Sequence, residues 1–161
     1  MSRKPTIKIA SLDQVLSYSN EHVLVRFKKT IELLDSDYQI IFEDVLRWLW
    51  LSATVWENHL FRVRITSELA IIDQMWHTFL LFTIDYKKFC ENYFEVYLHH
   101  QPYIKDKVTD SNSVTWEFEK QAQYIIKYLG KETFIRWYYV YPKKYSTEII
   151  NQIYQKPYPV T

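Results

Sequence analysis

SDYQIIFEDVLRWLWLSATVWENHL, residues 36–60, is the stretch whose periodicity decides the fold. Ile41, Val45, Trp48, Leu49 and Trp56 recur at three- and four-residue spacing, with Ser52 a small breach on the same face. A helix turns once in about 3.6 residues, so this spacing collects apolar side chains on one side. It predicts a long, largely buried helix over residues 38–58, opening behind the Ser/Asp signal at 36–37. Glu43 and Asp44 interrupt the apolar run and are assigned to its solvated side. Adjacent residues point about 100° apart on a helix, so the two do not make a shared acid–base pair.

The flanking sequence extends the same pattern. Ser11 is expected to cap LDQVLSYS (12–19), and EHVLVRFKKTIELL (21–34) reads as a second amphipathic helix through Val23, Phe27, Ile31 and Leu34. LFRVRIT (60–66) alternates apolar and basic residues with period two, which allows a short extended segment. Without a strong partner strand it reads as a connection. Thr66 and Ser67 offer caps to ELAIIDQMWHTFLLF (68–82), and Thr83 offers one to IDYKKFCENYF (84–94). YIKDKVTDSNS (103–113) is the one clear loop, after which Ser113 can cap VTWEFEKQAQYIIKYL (114–129). Gly130 stands at C′ of that helix, KETFIRWYYVY (131–141) ends at Pro142, and Ser146 can cap TEIINQIYQ (147–155) before a Pro-containing tail over 155–161. The expected fold class is therefore all-α, one helical domain over residues 1–161 with six to eight helices.

Composition narrows the function. With 48% hydrophobic residues and a formal charge of +1, the chain reads as globular and lacks the basic excess of a nucleic-acid binder. The N-terminal MSRKPTIKIASLDQ has no apolar core behind its basic residues, and no apolar run approaches the roughly 20 residues of a membrane span. One cysteine excludes an internal disulfide and fits a reducing compartment, so a soluble, cytoplasmic protein is expected. A single glycine nearly excludes glycine-rich phosphate loops. The 14 Tyr, 9 Phe and 6 Trp suit core filler or, in the other reading, a surface that binds a protein partner.

The chemistry concentrates in IIDQMWHTFLLFTIDYKKFC (71–90). Asp73 and His77 are four residues apart and share a helix face flanked by Trp76 and Leu80. If Thr83 marks the turn of an antiparallel helix pair, His77 and Cys90 stand at one level, with His99 and His100 near Asp73 at the far end. His77, Cys90, His99 and His100 are ligand types for zinc or another divalent metal, with Asp73 as ligand or orienting carboxylate. Otherwise Asp73 caps or pairs, His77 is a hydrogen-bonded core histidine and Cys90 a small buried residue. His22 and His59 lack comparable neighbours and read as surface or helix-end residues. A Cys90 nucleophile activated by His77 is a further possibility that needs an exposed thiolate.

Residues 68–102, through Trp76, His77, Tyr86, Cys90 and the later His99–His100–Gln–Pro run, resemble the glycine-rich domain-containing protein-like family. The resemblance implies a short, bacterial-type member made of the helical region alone. Plant members carry a second histidine where this chain has Phe79, which removes one potential ligand. Taken together, the expectation is a helical module that binds a protein partner, or a small metal-binding protein or metalloenzyme centred on His77.

Overall fold

The helix predicted over residues 38–58 forms as α3, Asp35–His59. The computed structural model describes residues 7–101 and 111–155. Before α3 come α1 (Leu12–Leu16) and α2 (Glu21–Lys28). After it, a 3-10 turn (Ser67–Leu69) leads into α4 (Ala70–Leu81), followed by α5 (Thr83–Phe94) and α6 (Ser111–Leu129). α7 runs continuously through Lys131–Ile135, a π turn at Arg136–Val140 and Tyr141–Lys144, and α8 is Thr147–Ile153. The fold is all-α: among the described residues there is no strand, only an isolated antiparallel bridge between Ile31 and Tyr154. No described helix is long and apolar enough to cross a membrane.

α3 is the axis of the core, with α1, α2, α4 and α6 packed around it. Val45, Leu46, Leu49 and Leu51 are wholly buried, and Trp48 packs on Trp137 of α7 with ring centroids 5.8 Å apart. A large part of the aromatic excess fills this interior: Phe42, Phe79, Phe89 and Tyr18 form one interlocked cluster between α3, α4 and α5. Burial of each such ring contributes roughly 1.5–3 kcal/mol. The N-terminal segment closes one side, where Ala10 donates its N–H to the Tyr93 carbonyl at 2.8 Å and accepts from Trp50 Nε1 at 2.9 Å.

Caps explain several boundaries. Ser11 caps α1 in a reciprocal box with Gln14, Asn20 accepts from Val23 N–H at the start of α2, and Ser146 accepts from Ile149 N–H at the start of α8. Gly130 separates α6 from α7 with φ of 88°, a backbone conformation that favours glycine.

Several expectations are corrected. The second helix stops at Lys28 rather than 34, because the backbone of Thr30–Glu32 pairs with Ile153–Gln155 instead (Gln155 N–H to Thr30 O, 2.6 Å). Asp44 is not solvated; it has no exposed surface. Helical spacing explains why: it lies three residues after Ile41 and four before Trp48, on the buried stripe itself. Thr83 caps nothing, since α4 and α5 are separated only by Phe82. One residue is shorter than the roughly two to five of an αα-hairpin connection. The helix at 131–141 does not end at Pro142 but continues to Lys144, because the π turn just before it widens the ladder where proline has no N–H to donate. The loop read over 103–113 lies outside the described residues as far as 110; 111–113 belong to α6, so Ser113 stands within that helix and does not cap it, and the tail beyond 155 lies outside the described residues.

Candidate metal centre

α4 carries Asp73 in its first turn and His77 one turn later. His77 Nδ1 lies 2.8 Å from the Asp73 carbonyl oxygen and 3.4 Å from Asp73 Oδ2. A carbonyl oxygen only accepts, so Nδ1 donates and the lone pair of the neutral ring stays at Nε2. The His77 side chain is 52% exposed. It is therefore not a core histidine.

The third member arrives from beyond α5. Glu95 takes a left-handed backbone conformation (φ 54°) and turns the chain so that 96–101 runs back past α4. Two aromatic side chains fasten this return: Trp76 Nε1 donates to the Tyr86 hydroxyl at 3.2 Å, and Tyr86 in turn donates to the Leu98 carbonyl at 2.6 Å. Burial pushes the Tyr86 hydroxyl far above its ordinary range, so it stays protonated and keeps donating. His100 then lies between the Trp76 and His77 rings, with centroids 4.1 and 4.4 Å away. Its Nε2 is 2.7 Å from Asp73 Oδ1, and its side chain is only 11% exposed.

Asp73, His77 and His100 thus present ligand atoms that all lie within 4.8 Å of one another. Two ligands on one zinc ion, each about 2.0–2.1 Å from it, are roughly 3.3 Å apart in a tetrahedral set. Two imidazoles and one carboxylate are a ligand set used for catalytic zinc and for non-haem iron(II), with coordination positions left for water or substrate. Asp73 can act in either of two ways: as the third ligand, or as the carboxylate that orients His100 while the other ring nitrogen faces the ion.

Other residues singled out from the sequence are placed differently. Cys90 is fully buried, with Tyr86 and the Leu98 backbone as neighbours, and is not in the ligand group. Burial pushes its thiol up, against smaller opposing effects of those two neighbours, so it is a poor thiolate and a poor nucleophile. His77 and Cys90 have different surroundings: the His77 side chain is half exposed on α4, whereas Cys90 is enclosed on the buried side of α5. His99 is not in the ligand group either, and packs edge-on against Tyr97 at 4.7 Å. Trp76 and Tyr86 serve as the hook that seats His100, a role spacing alone does not reveal. His59 ends α3, bonded to the Tyr128 hydroxyl at 2.7 Å and stacked on Tyr124.

A cleft of about 760 Å³ adjoins the group, sharing His100 with it and lined also by Trp76. Its other walls come from Ile7 and Ile9, from α3 and from residues 62–65 and 96–101. The sequence offers no signal for it, because its walls come from elements far apart in the chain.

Fold and site define an all-α protein with a two-histidine, one-aspartate cluster at the end of a cleft. The chain belongs to the UCP032817-like family, whose model matches residues 12–124. This match overturns the resemblance to the glycine-rich domain-containing protein-like family: the Trp76–His77 and Tyr86–Cys90 spacings that suggested it lie within the matched region. No curated protein and no solved structure matches the chain.

Proposed function

We propose that this protein binds one divalent metal ion, of the zinc or iron(II) type, through His77, His100 and Asp73. The supporting observation is the convergence of three ligand-type side chains from two segments, two of them on α4 and the third held in place by the Trp76–Tyr86–Leu98 hydrogen-bond relay. When bound, such an ion supplies Lewis acidity and an acidified water. The residues themselves do the positioning: the Asp73 carbonyl fixes the His77 tautomer, and Trp76 holds the His100 ring in place from the cleft side.

The test is zinc titration of chelator-treated protein, followed by calorimetry and thermal melts. The parent and a His99→Ala control should take up one zinc per chain and melt higher with it, since an ion bound only by the native state stabilises that state. His77→Ala and His100→Ala should lose both effects. Uptake that survives in both variants, or none in the parent, rejects the reading.

A protein-interaction role is the second reading, and Trp116 and Phe118 on α6 favour it, being 56% and 42% exposed. Replacing both with serine should abolish any co-purifying protein partner without lowering the melting temperature. Unchanged co-purification would reject it.

A further inference from the structure

The cleft beside the cluster has a one-sided polar lining. Arg62, Arg64, His99 and His100 contribute to it, and no aspartate or glutamate is among its described lining residues. A volume of about 760 Å³ is within the range of small-molecule pockets. Three tryptophans, Trp48, Trp56 and Trp76, supply flat apolar wall, and Trp48 and Trp76 are themselves nearly buried.

The two arginines differ in what they already hold. Arg64 pairs with Glu117 at 3.4 Å. Its backbone is gripped on both sides by Gln121, whose Oε1 accepts from Arg64 N–H at 2.6 Å and whose Nε2 donates to the Arg64 carbonyl at 2.9 Å. That grip holds the extended segment on which Arg62 sits. Arg62 lies over the Trp56 ring, 4.9 Å from its centroid, and has no carboxylate partner among the described residues. A guanidinium stacked on an indole keeps its N–H edge directed outward, toward whatever planar anion enters.

We infer that the cleft binds a small organic anion with a flat apolar body, its anionic head on Arg62 and its body against the tryptophans. This goes beyond the metal reading and does not need the ion. It does place such a ligand's far end beside His100. An anionic head is favoured because Arg62 has no carboxylate partner among the described residues, whereas Arg64 and His100 are already engaged by Glu117 and Asp73, and a charged acceptor gains more from the guanidinium than a neutral one does.

The experiment uses chelator-treated full-length protein and three probes of one shape: 2-naphthoate, 2-naphthyl phosphate and the neutral 2-naphthamide, each titrated by calorimetry. At least one anion should bind about five- to tenfold tighter than the amide, a modest gain because Arg62 is exposed. Whether the carboxylate or the phosphate is the tighter identifies the head group. Arg62→Gln should abolish the preference and leave amide affinity unchanged, while Arg62→Lys should retain part of it. Equal binding of all three by the parent, no binding of any, or a preference that persists in Arg62→Gln overturns the inference. Zinc titration of the same samples is read separately, so failure of the metal site and failure of the anion site give different results.

Discussion

Arg136 sets its Nε and Nη2 against the two carboxylate oxygens of Asp44, at 2.8 and 2.6 Å, across 92 residues of chain. Asp44 is wholly buried and also receives the Tyr141 hydroxyl at 2.5 Å and Arg47 Nη1 at 3.1 Å. This ties the middle of α3 to the π turn of α7. The Asp44 contact, with a counteracting effect of burial, holds the guanidinium of Arg136 above its already high range. Removing one partner from a buried pair leaves a charge without compensation, at a cost of about 3–5 kcal/mol. Arg136→Met is therefore expected to lower the urea-unfolding free energy by about 3 kcal/mol. A loss under about 1 kcal/mol would mean that Arg47 and Tyr141 suffice.

Asp37 carries a pH-dependent contribution. Burial works to raise its pKa, but hydrogen bonds from Lys144 at 2.7 Å and Tyr145 at 2.5 Å outweigh it, and its carboxyl is held below the ordinary value of 3.8. A carboxylate with a depressed folded pKa adds stability above the unfolded value and loses it as pH falls through the folded one. Asp37→Asn should be less stable than the parent at pH 7, with the gap closing below about pH 4. A gap that is constant from pH 7 to pH 3 would exclude this source.

Gln121 acts as the missing partner strand of residues 61–66, satisfying both backbone groups of Arg64. Gln121→Met keeps the volume and removes both of these bonds together with the one that Gln121 Nε2 donates to the Tyr138 hydroxyl at 3.0 Å, leaving the Arg64 N–H and carbonyl without the amide that satisfies them. A loss of about 1–3 kcal/mol is expected in chemical denaturation. Because the same segment carries Arg62, the variant should also lose the naphthoate preference. Full stability would show that water replaces the amide.

Cys90 should not react with a water-soluble thiol reagent in the native protein, since it has no exposed surface and burial raises its thiol. Full modification is expected only with unfolding in denaturant. Rapid native labelling would show that the α5 region opens readily.

Asp73→Asn separates the two roles open to that carboxylate. If Asp73 only orients His100, zinc affinity should fall by about 10–100-fold; if it is a ligand, stoichiometric uptake should disappear. Calorimetric titration reads the difference. Affinity equal to the parent's would remove Asp73 from the site altogether.

The helical class is legible because Ile41, Val45, Trp48 and Leu49 repeat at helical spacing in a stretch with no glycine or proline. Caps at Ser11 and Ser146 are legible for the same local reason. The burial of Asp44 is not, because its charge argues for solvent while its position on the stripe argues for the core, and the partners that decide it, Arg136 and Tyr141, lie more than 90 residues away. Within the candidate site, the Asp73–His77 relationship comes from four-residue spacing, whereas the choice of His100 over its neighbour His99 depends on the turn at Glu95 and on Tyr86 holding Leu98. Those contacts are tertiary, and no periodicity encodes them. Pro142 is opaque in a different way: a proline normally stops a helix, and only the π turn before it shows how this one continues.

The single-residue corner at Phe82 makes the region intolerant of changes in length. Each residue added to a helix rotates the downstream chain by about 100° and advances it by about 1.5 Å. One alanine inserted after Phe82 would swing Tyr86 away from Trp76, release Leu98 and carry His100 off Asp73, with every side chain of the site still encoded. Zinc uptake by such an insertion variant should vanish while its helix content stays near that of the parent. The site thus depends on the length of this joint as directly as on the identity of its ligands.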